Sequence, residues 1–339
     1  MPHLLTLSIP TYNRSRFLVE TLDNIRGQIA KGGLEGDIAI HINDNCSSDG
    51  TGKAIASFKK SNPEIRITYA QNKVNLGFDR NADLAARAPT TLWTWLMGDD
   101  DRITKGSLEY LVEKIRALPK GVSFATTPSN IYDIRLREKL MDFSREFESD
   151  RIFQGVGPEV ARLSPRYLGI GSHIFKTEKW RKTRNIKKYI GSQIVQLYFM
   201  LYWIGKKEKI AYFNRVCLDV RYNNSVQSED AVFDIFYGCL HNIPKMVYGT
   251  VHSQQEQHMI LCAFFKSLRF AIFSFKKTEK WGLLPSKRAL RLFCEAKKHY
   301  SFLPEFWLLY PAQVMVPSVA VRPLKRLYDK FRKATVLKK

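Results

Sequence analysis

Short apolar runs of strand length alternate with segments of helical periodicity along the first 130 residues of the chain. The apolar runs have the length and composition of buried strands and cover residues 4–10, 37–44, 65–70, 92–97 and 122–127. Apolar residues recur at helical spacing between these runs, over residues 17–29, 78–88 and 108–118, and a further helix is predicted to end at residue 58. The alternation predicts an α/β fold, with a mainly parallel sheet flanked by helices.

Polar residues follow four of the predicted strands at the points where the strands end. They are Thr11, Tyr12 and Asn13; Asp44 and Asn45; the segment 72–77; and Asp99, Asp100 and Asp101. Because ligands of parallel α/β sheets bind beyond the carboxyl ends of the strands, we expect these loops to converge on one site. For each loop alone, a solvated turn is the alternative interpretation.

The segment WLMGDDD, residues 95–101, ends in three consecutive carboxylates. Three acids at a strand end repel one another unless a cation lies among them. Carboxylate oxygens without a neighbouring His or Cys suit a hard ion such as Mg²⁺ or Mn²⁺, which commonly binds substrate phosphates. The alternative is a solvated turn before a helix, because Asp also caps helices well.

Composition and charge add the expectation of an anionic partner. Fifty-four Lys and Arg residues against 32 Asp and Glu residues give a formal net charge of +22, which favours nucleic acid, anionic lipid or phosphorylated substrates. The five scattered cysteines form no C-x-x-C pair and indicate free thiols in a reducing compartment. No signal peptide and no membrane span are expected, because the N-terminal pattern and the lengths of the apolar runs fit neither.

Two common phosphate-binding motifs are missing from the sequence. No G-x-G-x-x-G follows the first predicted strand, and no G-x-x-x-x-G-K-[ST] occurs anywhere. Phosphate charge is therefore expected to be met by a metal ion and by basic side chains.

Four segments resemble the family 2 glycosyltransferases of the GT-A fold in their order and spacing. They are SIPTYNR at residues 8–14, NDNCSSDGT at 43–51, the segment 72–77 with Arg80 and Asn81 after it, and GDDD at 98–101, in the place of the family's D-x-D motif. Cys46 stands where Ser or Gly is more usual. The resemblance spans roughly residues 4–130. The overall pattern is similar to bacterial O-antigen sugar transferases of the abequosyltransferase type.

The resemblance implies a nucleotide-diphosphate sugar as donor and Mn²⁺ or Mg²⁺ as cofactor. It implies that Asp99 and Asp101 hold the metal and that Asp44 accepts a hydrogen bond from the base. Metal binding would neutralise the diphosphate leaving group. The residues that it assigns to the nucleotide and its diphosphate are Pro10, Thr11, Tyr12, Asn13, Arg14, Asp44, Asn75, Gly77, Arg80, Asn81, Asp99, Asp100 and Arg221, the last at the end of a strand predicted over residues 210–221.

The second half departs from the family pattern where a catalytic base is expected. Many inverting members carry a Glu-Asp pair there, whose carboxylate deprotonates the acceptor hydroxyl. Residues 189–197, YIGSQIVQL, contain no acid. His173 is our first candidate for the base and Asp230 the second, with a structural histidine and a helix start as the respective alternatives. The other acids that could act as the base are Glu178, Asp219 and Glu229. With the base unassigned, the stereochemical outcome, inverting or retaining, is open.

Two basic segments suggest how an acceptor or a membrane could be contacted. Seven Lys and Arg residues and one acid lie within residues 176–188. This segment is either a solvated face or a bed for the diphosphate of a lipid-linked acceptor or for lipid head groups. Residues 319–339 combine apolar and basic residues at helical spacing, which is typical of a helix on an anionic membrane surface. A terminal helix docked on its own domain is the alternative.

These features predict three regions and one leading function. Residues 1–130 form the nucleotide-sugar-binding half, 131–250 the acceptor-binding half, and 251–339 a helical C-terminal region with a basic tail. The leading hypothesis is metal-dependent sugar transfer to a saccharide or polyprenyl-linked saccharide acceptor, in the cytoplasm at the inner face of the plasma membrane. A nucleic-acid-binding protein and a metal-dependent nucleotidyltransferase are the alternatives. Neither has its expected motif, and no nucleic-acid partner is expected.

Overall fold

The alternation of strands and helices predicted from the sequence forms the first half of the protein. The computed structural model describes residues 3–142, 146–221, 229–278, 287–304 and 306–307. The first half consists of β1 (Leu5–Thr11), α1 (Ser15–Gly32), β2 (Ile38–Asp44), α2 (Thr51–Ser61), β3 (Arg66–Gln71), α3 (Phe78–Arg87), β4 (Trp93–Leu96), β5 (Arg102–Ile103), α4 (Ser107–Arg116) and β6 (Val122–Thr126).

The remaining elements are shorter strands followed by long helices. They are β7 (Ser129–Tyr132), β8 (Lys139–Asp142), β9 (Arg151–Gln154), α5 (Pro158–Leu163), β10 (His173–Lys176), α6 (Thr177–Lys182), α7 (Val195–Gly205), β11 (Lys209–Tyr212), β12 (Leu218–Arg221), α8 (Glu229–Thr250), α9 (Gln254–Thr278) and α10 (Lys287–Tyr300). Short 3₁₀ turns precede β10 and α7.

The large sheet has eight strands in the order β3-β2-β1-β4-β10-β6-β11-β9, and a smaller sheet has the order β5-β12-β7-β8. β1 pairs in parallel with β2 and with β4, and β2 pairs in parallel with β3. This confirms the predicted α/β class. The four carboxyl ends therefore lie along one edge, which we call the donor edge because the predicted donor site is there.

Strand β10 lies antiparallel between β4 and β6, a placement that the order of elements along the chain does not reveal. His173 pairs with Leu96 of β4, and Ile174 pairs with Ala125 of β6. A segment of the second half thus enters the centre of the sheet beside the donor edge.

The core lies where the helical faces cover the sheet. Leu5, Leu7 and Ile9 of β1 are fully buried, and Leu18 and Leu22 of α1 belong to the same apolar cluster. The helical periodicity places these α1 residues one turn apart on one face. Burying a side chain of this size stabilises the fold by about 1.5–3 kcal/mol.

The single strand predicted over residues 210–221 is wrong, because the chain turns between two shorter strands. β11 belongs to the large sheet and β12 to the smaller one. The backbone N–H of Asn214 donates to Asp150, and that of Cys217 donates to the carbonyl of Pro128. These bonds direct residues 213–217 away from the strand direction, so that β12 starts a new pairing beside β7.

The chain separates into two compact units, residues 1–226 and 227–339. In the second unit α8, α9 and α10 pack on one another through apolar side chains; among those buried are Leu240, Ile243, Phe264, Phe265 and Tyr300. The three-region division made from the sequence stays a prediction. The predicted membrane-surface helix at residues 319–339 lies outside the described residues. Among the residues that the structure describes, no helix is long and apolar enough to cross a membrane.

Candidate active site

The three consecutive carboxylates follow β4 and lie against the end of β1. The hydroxyl of Thr11 donates to Asp99 Oδ2 at 2.7 Å. The guanidinium of Arg14, at the start of α1, lies 3.3 Å from Asp99 Oδ1 and 2.9 Å from Asp100 Oδ2. The structure therefore brings together four side chains that the sequence assigned to the donor and the metal: Thr11, Arg14, Asp99 and Asp100.

Helix α1 also holds the backbone of this loop, through residues that the sequence analysis missed. The hydroxyl of Thr21 donates to the carbonyls of Asp99 and Asp101, at 3.1 and 3.0 Å. One turn further on, Asn24 exchanges hydrogen bonds with the backbone of Ile103. The signal in the sequence was a row of polar residues at helical spacing beside the apolar face of α1.

Gly98 allows the carboxylates to fold back over the backbone. A Cβ at this position would lie 2.8 Å from Asp101 Oδ2 and 3.0 Å from Asp100 Oδ1. Any larger residue would push the side chains apart. The glycine of the GDDD sequence is thus part of how the loop is built.

The electrostatics of the loop indicate an excess of negative charge. Burial, together with the charge of Asp100, raises the pKa of Asp99 to about 6 against the opposing effect of Arg14. Burial and the same Asp100 charge also raise the pKa of Asp101 well above its usual value. Clustered oxygen ligands with incomplete compensation fit a hard divalent cation, which would relieve the repulsion. Asp99 and Asp101, the predicted metal ligands, are thus suitable donors for such an ion.

A network of asparagine side chains joins the next two loops of the donor edge. The Asn43 amide donates to Asn81 Oδ1 at 2.7 Å, and the Asn72 amide donates to the same atom at 2.9 Å. Asn72 also donates to Asn45, which donates in turn to Asn75 at 2.7 Å. These bonds fix the loop that ends at Gly77 against β2. The structure therefore brings Asn75, Gly77 and Asn81 to the donor edge, where their contact with the nucleotide stays a prediction.

Asp44 lies at the end of β2 and is fully buried. Its carboxylate accepts hydrogen bonds from the Ser47 backbone, the Tyr69 hydroxyl at 2.8 Å and the Gln71 amide at 3.2 Å. Both carboxylate oxygens thus already have partners within the chain. A bond from Asp44 to the base stays a prediction.

The loop after β1 is shaped by side-chain to backbone hydrogen bonds. Asn13 has a positive φ of 50°, and its side-chain oxygen accepts from the Ser48 backbone at 2.8 Å. Pro10 is buried within β1, whereas Tyr12 keeps 43% of its surface exposed. An aromatic ring open to solvent at this edge offers a flat face to a ligand.

Arg221 ends β12 and reaches the carboxylate loop from the smaller sheet. Its Nε donates to the Asp100 carbonyl at 2.6 Å, and its Nη1 donates to the Ile134 carbonyl at 2.8 Å. It also forms an ion pair with Glu20 of α1. The structure thus places Arg221 beside the predicted metal ligands, and its role over a diphosphate stays a prediction.

His173, the first candidate for the catalytic base, lies inside the protein. Its side chain has no exposed surface, and its ring packs against Tyr167. Its Nδ1 lies 3.2 Å from the Ile170 carbonyl, and burial lowers its pKa to about 4. A general base must reach the acceptor hydroxyl. This position therefore disfavours His173 as the base and favours the structural alternative.

The other acids considered for this role are placed as follows. Asp219 forms an ion pair with Arg102 at 2.8 Å and accepts from Asn130. Glu178 forms an exposed ion pair with Lys182. Glu229 and Asp230 are the first residues of α8, and their side chains lie outside the described part of the chain. Asp230 as the base therefore stays a prediction.

Asp79, in the first turn of α3, is a buried acid that the sequence analysis did not identify. It binds the backbone of residues 191–195, within the segment 189–197 where many family members carry their catalytic acid. Its Oδ2 accepts from the backbone N–H groups of Gly191 at 2.8 Å and Gln193 at 2.6 Å, and its Oδ1 from that of Val195 at 3.1 Å. Burial raises the pKa of Asp79 against these bonds. In the sequence, an acid at this position looks like an ordinary first-turn residue.

A second cluster of possible metal ligands lies in the helical unit. His241 Nδ1 is 2.6 Å from Glu295 Oε1, and His299 approaches the same carboxylate. Lys298 already pairs with Glu295 at 2.8 Å, and Lys245 lies 2.6 Å from His241 Nε2. Burial acts to raise the pKa of Glu295, but bonds from Lys298 and His241 lower it to about 2. Local cations thus already compensate this carboxylate.

The fold and the carboxylate loop together point to the glycosyltransferase class. Residues 6–201 match the family model described as glycosyl transferase family 2, and the chain belongs to this family. The predicted resemblance is thereby confirmed.

Two curated bacterial glycosyltransferases are similar in sequence. The chain is 30% identical over 205 residues to the abequosyltransferase RfbV of Salmonella typhimurium, covering 58% of this chain and 60% of that protein. It is 24% identical over 218 residues to the GalNAc(5)-diNAcBac-PP-undecaprenol beta-1,3-glucosyltransferase of Campylobacter jejuni, covering 63% of each. The chain thus spans less than two thirds of the length of these relatives.

Solved structures confirm the GT-A fold. Residues 1–349 of S. aureus TarS superpose with a TM-score of 0.58 at 13% identity, covering 90% of this chain and 91% of that one, and the same figures hold for its complex with UDP. The mannosyltransferase PcManGT from Pyrobaculum calidifontis, in complex with GDP-Man and Mn²⁺, superposes with a TM-score of 0.52 at 13% identity, covering 97% and 88%.

Proposed function

We propose that this glycosyltransferase moves a sugar from a nucleotide-diphosphate sugar to a lipid-linked saccharide, with Mn²⁺ or Mg²⁺, in the synthesis of a bacterial surface polysaccharide. The observation that carries the proposal is the buried carboxylate loop at the donor edge, where Thr11 and Arg14 hold Asp99 and Asp100. Burial and mutual repulsion raise the pKa values of Asp99 and Asp101.

A divalent ion at Asp99 and Asp101 would supply Lewis-acid assistance to the departure of the nucleoside diphosphate. The protein residues keep this site in shape. Thr21 holds the two carbonyls of the loop, and Arg14 brings a positive charge close to where the diphosphate would lie. Fixed groups of this kind stabilise developing negative charge without having to reorganise during the reaction.

The rest of the donor edge supports binding of a nucleoside. Tyr12 offers an exposed ring, and Phe78 at the start of α3 is equally exposed. Apolar faces with nearby fixed amides are typical of small-molecule sites, in which a few polar groups set the orientation. The complexes of the neighbouring structures with UDP, and with GDP-Man and Mn²⁺, are in line with such a donor.

A lipid-linked acceptor is supported by charge and by the relatives. The name of the Campylobacter relative describes an undecaprenol-diphosphate-linked acceptor. The present chain carries a net charge of +22, which would favour an anionic substrate. Residues 189–197 carry no acid, and His173 is buried, so neither offers an accessible base for the acceptor hydroxyl.

Donor turnover gives the most direct test of the proposed function. Purified protein is incubated with a panel of UDP-, GDP-, CDP- and dTDP-sugars, with Mn²⁺, with Mg²⁺ or with EDTA. We expect release of a nucleoside diphosphate from at least one donor, loss of this activity in EDTA, and recovery with added metal. Release of sugar 1-phosphate and a nucleoside monophosphate instead would indicate attack on the diphosphate, which is the reaction of a nucleotidyltransferase. Full activity in EDTA would contradict the metal assignment.

We further propose that the protein binds the inner face of the plasma membrane through its basic amphipathic tail. The apolar and basic residues of the sequence at 319–339 support this, with each basic residue near anionic lipid contributing about 1 kcal/mol. Removing residues 319–339 should abolish co-sedimentation with phosphatidylglycerol vesicles while leaving donor hydrolysis intact. Equal sedimentation of both proteins would exclude the tail as the membrane contact.

A further inference from the structure

A basic groove lies on the first unit between α3 and the segment that precedes α7. Its volume is about 580 Å³, and its lining includes Arg80, Asp83, Arg87, Asn185, Lys187 and Lys188. We call it the basic groove. Its lining includes no residue of the carboxylate loop at 99–101. Of the residues that the sequence assigned to the donor, Arg80 alone lines this groove, and its contact with the nucleotide stays a prediction.

The single acid in this lining does not cancel its positive charge. Asp83 is buried, and its carboxylate accepts from Arg80 at 3.2 Å, Arg87 at 2.7 Å and Trp180 at 2.9 Å. Asp83 thus fixes one edge of each guanidinium, and a guanidinium has further N–H donors beyond that edge. The two arginines are held in place by a buried carboxylate rather than being free surface side chains.

Lys187 and Lys188 complete the positive wall from the opposite side. They lie in a short 3₁₀ turn at Ile186–Tyr189, and both side chains are exposed. The turn is anchored by Ile186, which is buried. Four cations on two facing walls are suited to an anion with several oxygens, because guanidinium groups bind phosphate through paired hydrogen bonds and lysines as point charges.

The groove leads to the segment where the acceptor is expected. Lys188 is followed by residues 189–195, in which the backbone N–H groups of Gly191, Gln193 and Val195 donate to Asp79, the residue before Arg80. One end of the groove therefore lies next to both the start of α3 at the donor edge and the start of α7. A diphosphate in the groove would direct an attached saccharide toward these elements.

We infer that the basic groove binds the diphosphate of a polyprenyl-diphosphate-linked saccharide acceptor. The inference rests on the proposed transfer to a lipid-linked acceptor and adds the residues that would recognise it. The saccharide would extend toward the donor edge, and the lipid would leave the groove at its other end. Recognition would depend on the diphosphate, since the lining offers the cations of Arg80, Arg87, Lys187 and Lys188 and the amide of Asn185.

The test uses farnesyl diphosphate as a soluble probe, with the full-length protein and with EDTA present to prevent metal-assisted binding at the carboxylate loop. Calorimetry compares the wild type with the double variant Lys187→Ala/Lys188→Ala. The matched control is Lys59→Ala/Lys60→Ala, an exposed pair at the end of α2 that removes the same charge. We expect affinity to fall by about tenfold or more in the groove variant and to be unchanged in the control.

Two further arms distinguish the sources of the anion. Farnesol, which lacks the diphosphate, should bind none of the three proteins measurably. Phosphatidylglycerol vesicles should bind the groove variant and the control to the same extent. Equal farnesyl diphosphate affinity in all three proteins would overturn the inference. So would a groove variant that loses only vesicle binding, because the groove would then contact lipid head groups.

The failure of this inference is separable from failure of the proposed function. Nucleotide-sugar hydrolysis by the wild-type protein tests the transferase activity without any acceptor. If hydrolysis is observed and farnesyl diphosphate binding does not depend on Lys187 and Lys188, the groove assignment alone is wrong. Absent hydrolysis across the donor panel would contradict the proposed function, whatever the groove binds. Unchanged melting temperatures of both double variants establish that they are folded.

Discussion

The donor edge and the segment before α7 are built in opposite ways. At the donor edge, side chains at the strand ends contact side chains of the neighbouring loop and helix, as Thr11 contacts Asp99 and Asn43 contacts Asn81 of α3. In the segment that leads into α7, the backbone N–H groups of Gly191, Gln193 and Val195 converge on the single carboxylate of Asp79. The chemistry of the first region is carried by side chains, whereas the second is a backbone loop fixed from outside.

This difference explains why motifs describe one region and miss the other. A strand end places the next few side chains at the sheet edge, so a short polar sequence there has a definite location. A loop held through its N–H groups can have almost any side chains. The sequence 189–197 is accordingly uninformative about its partner, although the partner is a buried acid.

The largest expected effect is at the carboxylate loop. Asp101→Asn should lower kcat for donor hydrolysis by about 10²–10³-fold, because the change removes a proposed metal ligand from the charged site. The melting temperature should not fall, since a raised pKa shows that the charged form of Asp101 is unfavourable in the folded protein. Kinetics with Mn²⁺ and thermal unfolding are measured on both proteins. Asp23→Asn, an exposed position on α1, is the control; wild-type kcat in Asp101→Asn would contradict the metal assignment.

The second largest effect is expected at Asp79, whose substitution should affect the segment before α7 more than the donor edge. Asp79→Ala leaves three backbone N–H groups without their acceptor, so the free energy of unfolding should fall by about 1–3 kcal/mol. With the segment before α7 released, KM for the acceptor should rise by about tenfold, with a smaller change in KM for the donor. Initial rates at varied donor and acceptor concentrations measure this split. A change confined to donor KM would place Asp79 functionally at the donor edge and remove the contrast between the regions.

A smaller effect on kcat is expected at Thr21, which binds the backbone of the carboxylate loop. Thr21→Val preserves shape but removes the hydroxyl that bonds to the carbonyls of Asp99 and Asp101. We expect kcat to fall by about three- to tenfold, in proportion to a hydrogen bond of about 0.5–1.5 kcal/mol. When activity is titrated with metal, the variant should need a higher metal concentration than the wild type to reach its half-maximal rate. Unchanged metal dependence would mean that the bonds from Thr21 support the fold alone.

The smallest catalytic effect is expected at His173. Because the side chain is buried, His173→Leu should change kcat by about threefold at most, compared with roughly 10²-fold for loss of a general base. The histidine should instead affect stability. A kcat loss on the scale of a general base, with an unchanged melting temperature, would restore His173 as the base and require an opening of the segment around it.

The pH dependence of stability provides an independent readout at the same residue. Burial lowers the pKa of His173 to about 4 in the folded protein, whereas an unfolded histidine titrates at about 6.5. Between these values the unfolded state binds more protons, so the free energy of unfolding should decrease as pH falls from about 6.5 to about 4. His173→Leu should reduce this slope. Denaturant titrations at several pH values measure it, and identical slopes in both proteins would contradict the buried neutral histidine.

The sequence by itself determined the α/β class, the bounds of β1 to β4 to within about two residues, and the gathering of polar loops at one edge. These features depend on local periodicity and on the rule that parallel strands end together. Gly98, Asp99 and Asp101 could be recognised for the same reason, because a polar segment directly after a buried strand lies at the edge of the sheet where that strand ends.

Only the tertiary structure decided which remote groups meet. β10 enters between β4 and β6, Arg221 reaches Asp100 across 121 positions, and Asp79 reaches Gly191 across 112. The tertiary structure also buried the side chain of His173, which disfavours it as the base, and it divided the predicted strand at 210–221 between two sheets. Such contacts depend on how whole elements pack and pair, and a local pattern of apolar and polar residues carries no information about the partner.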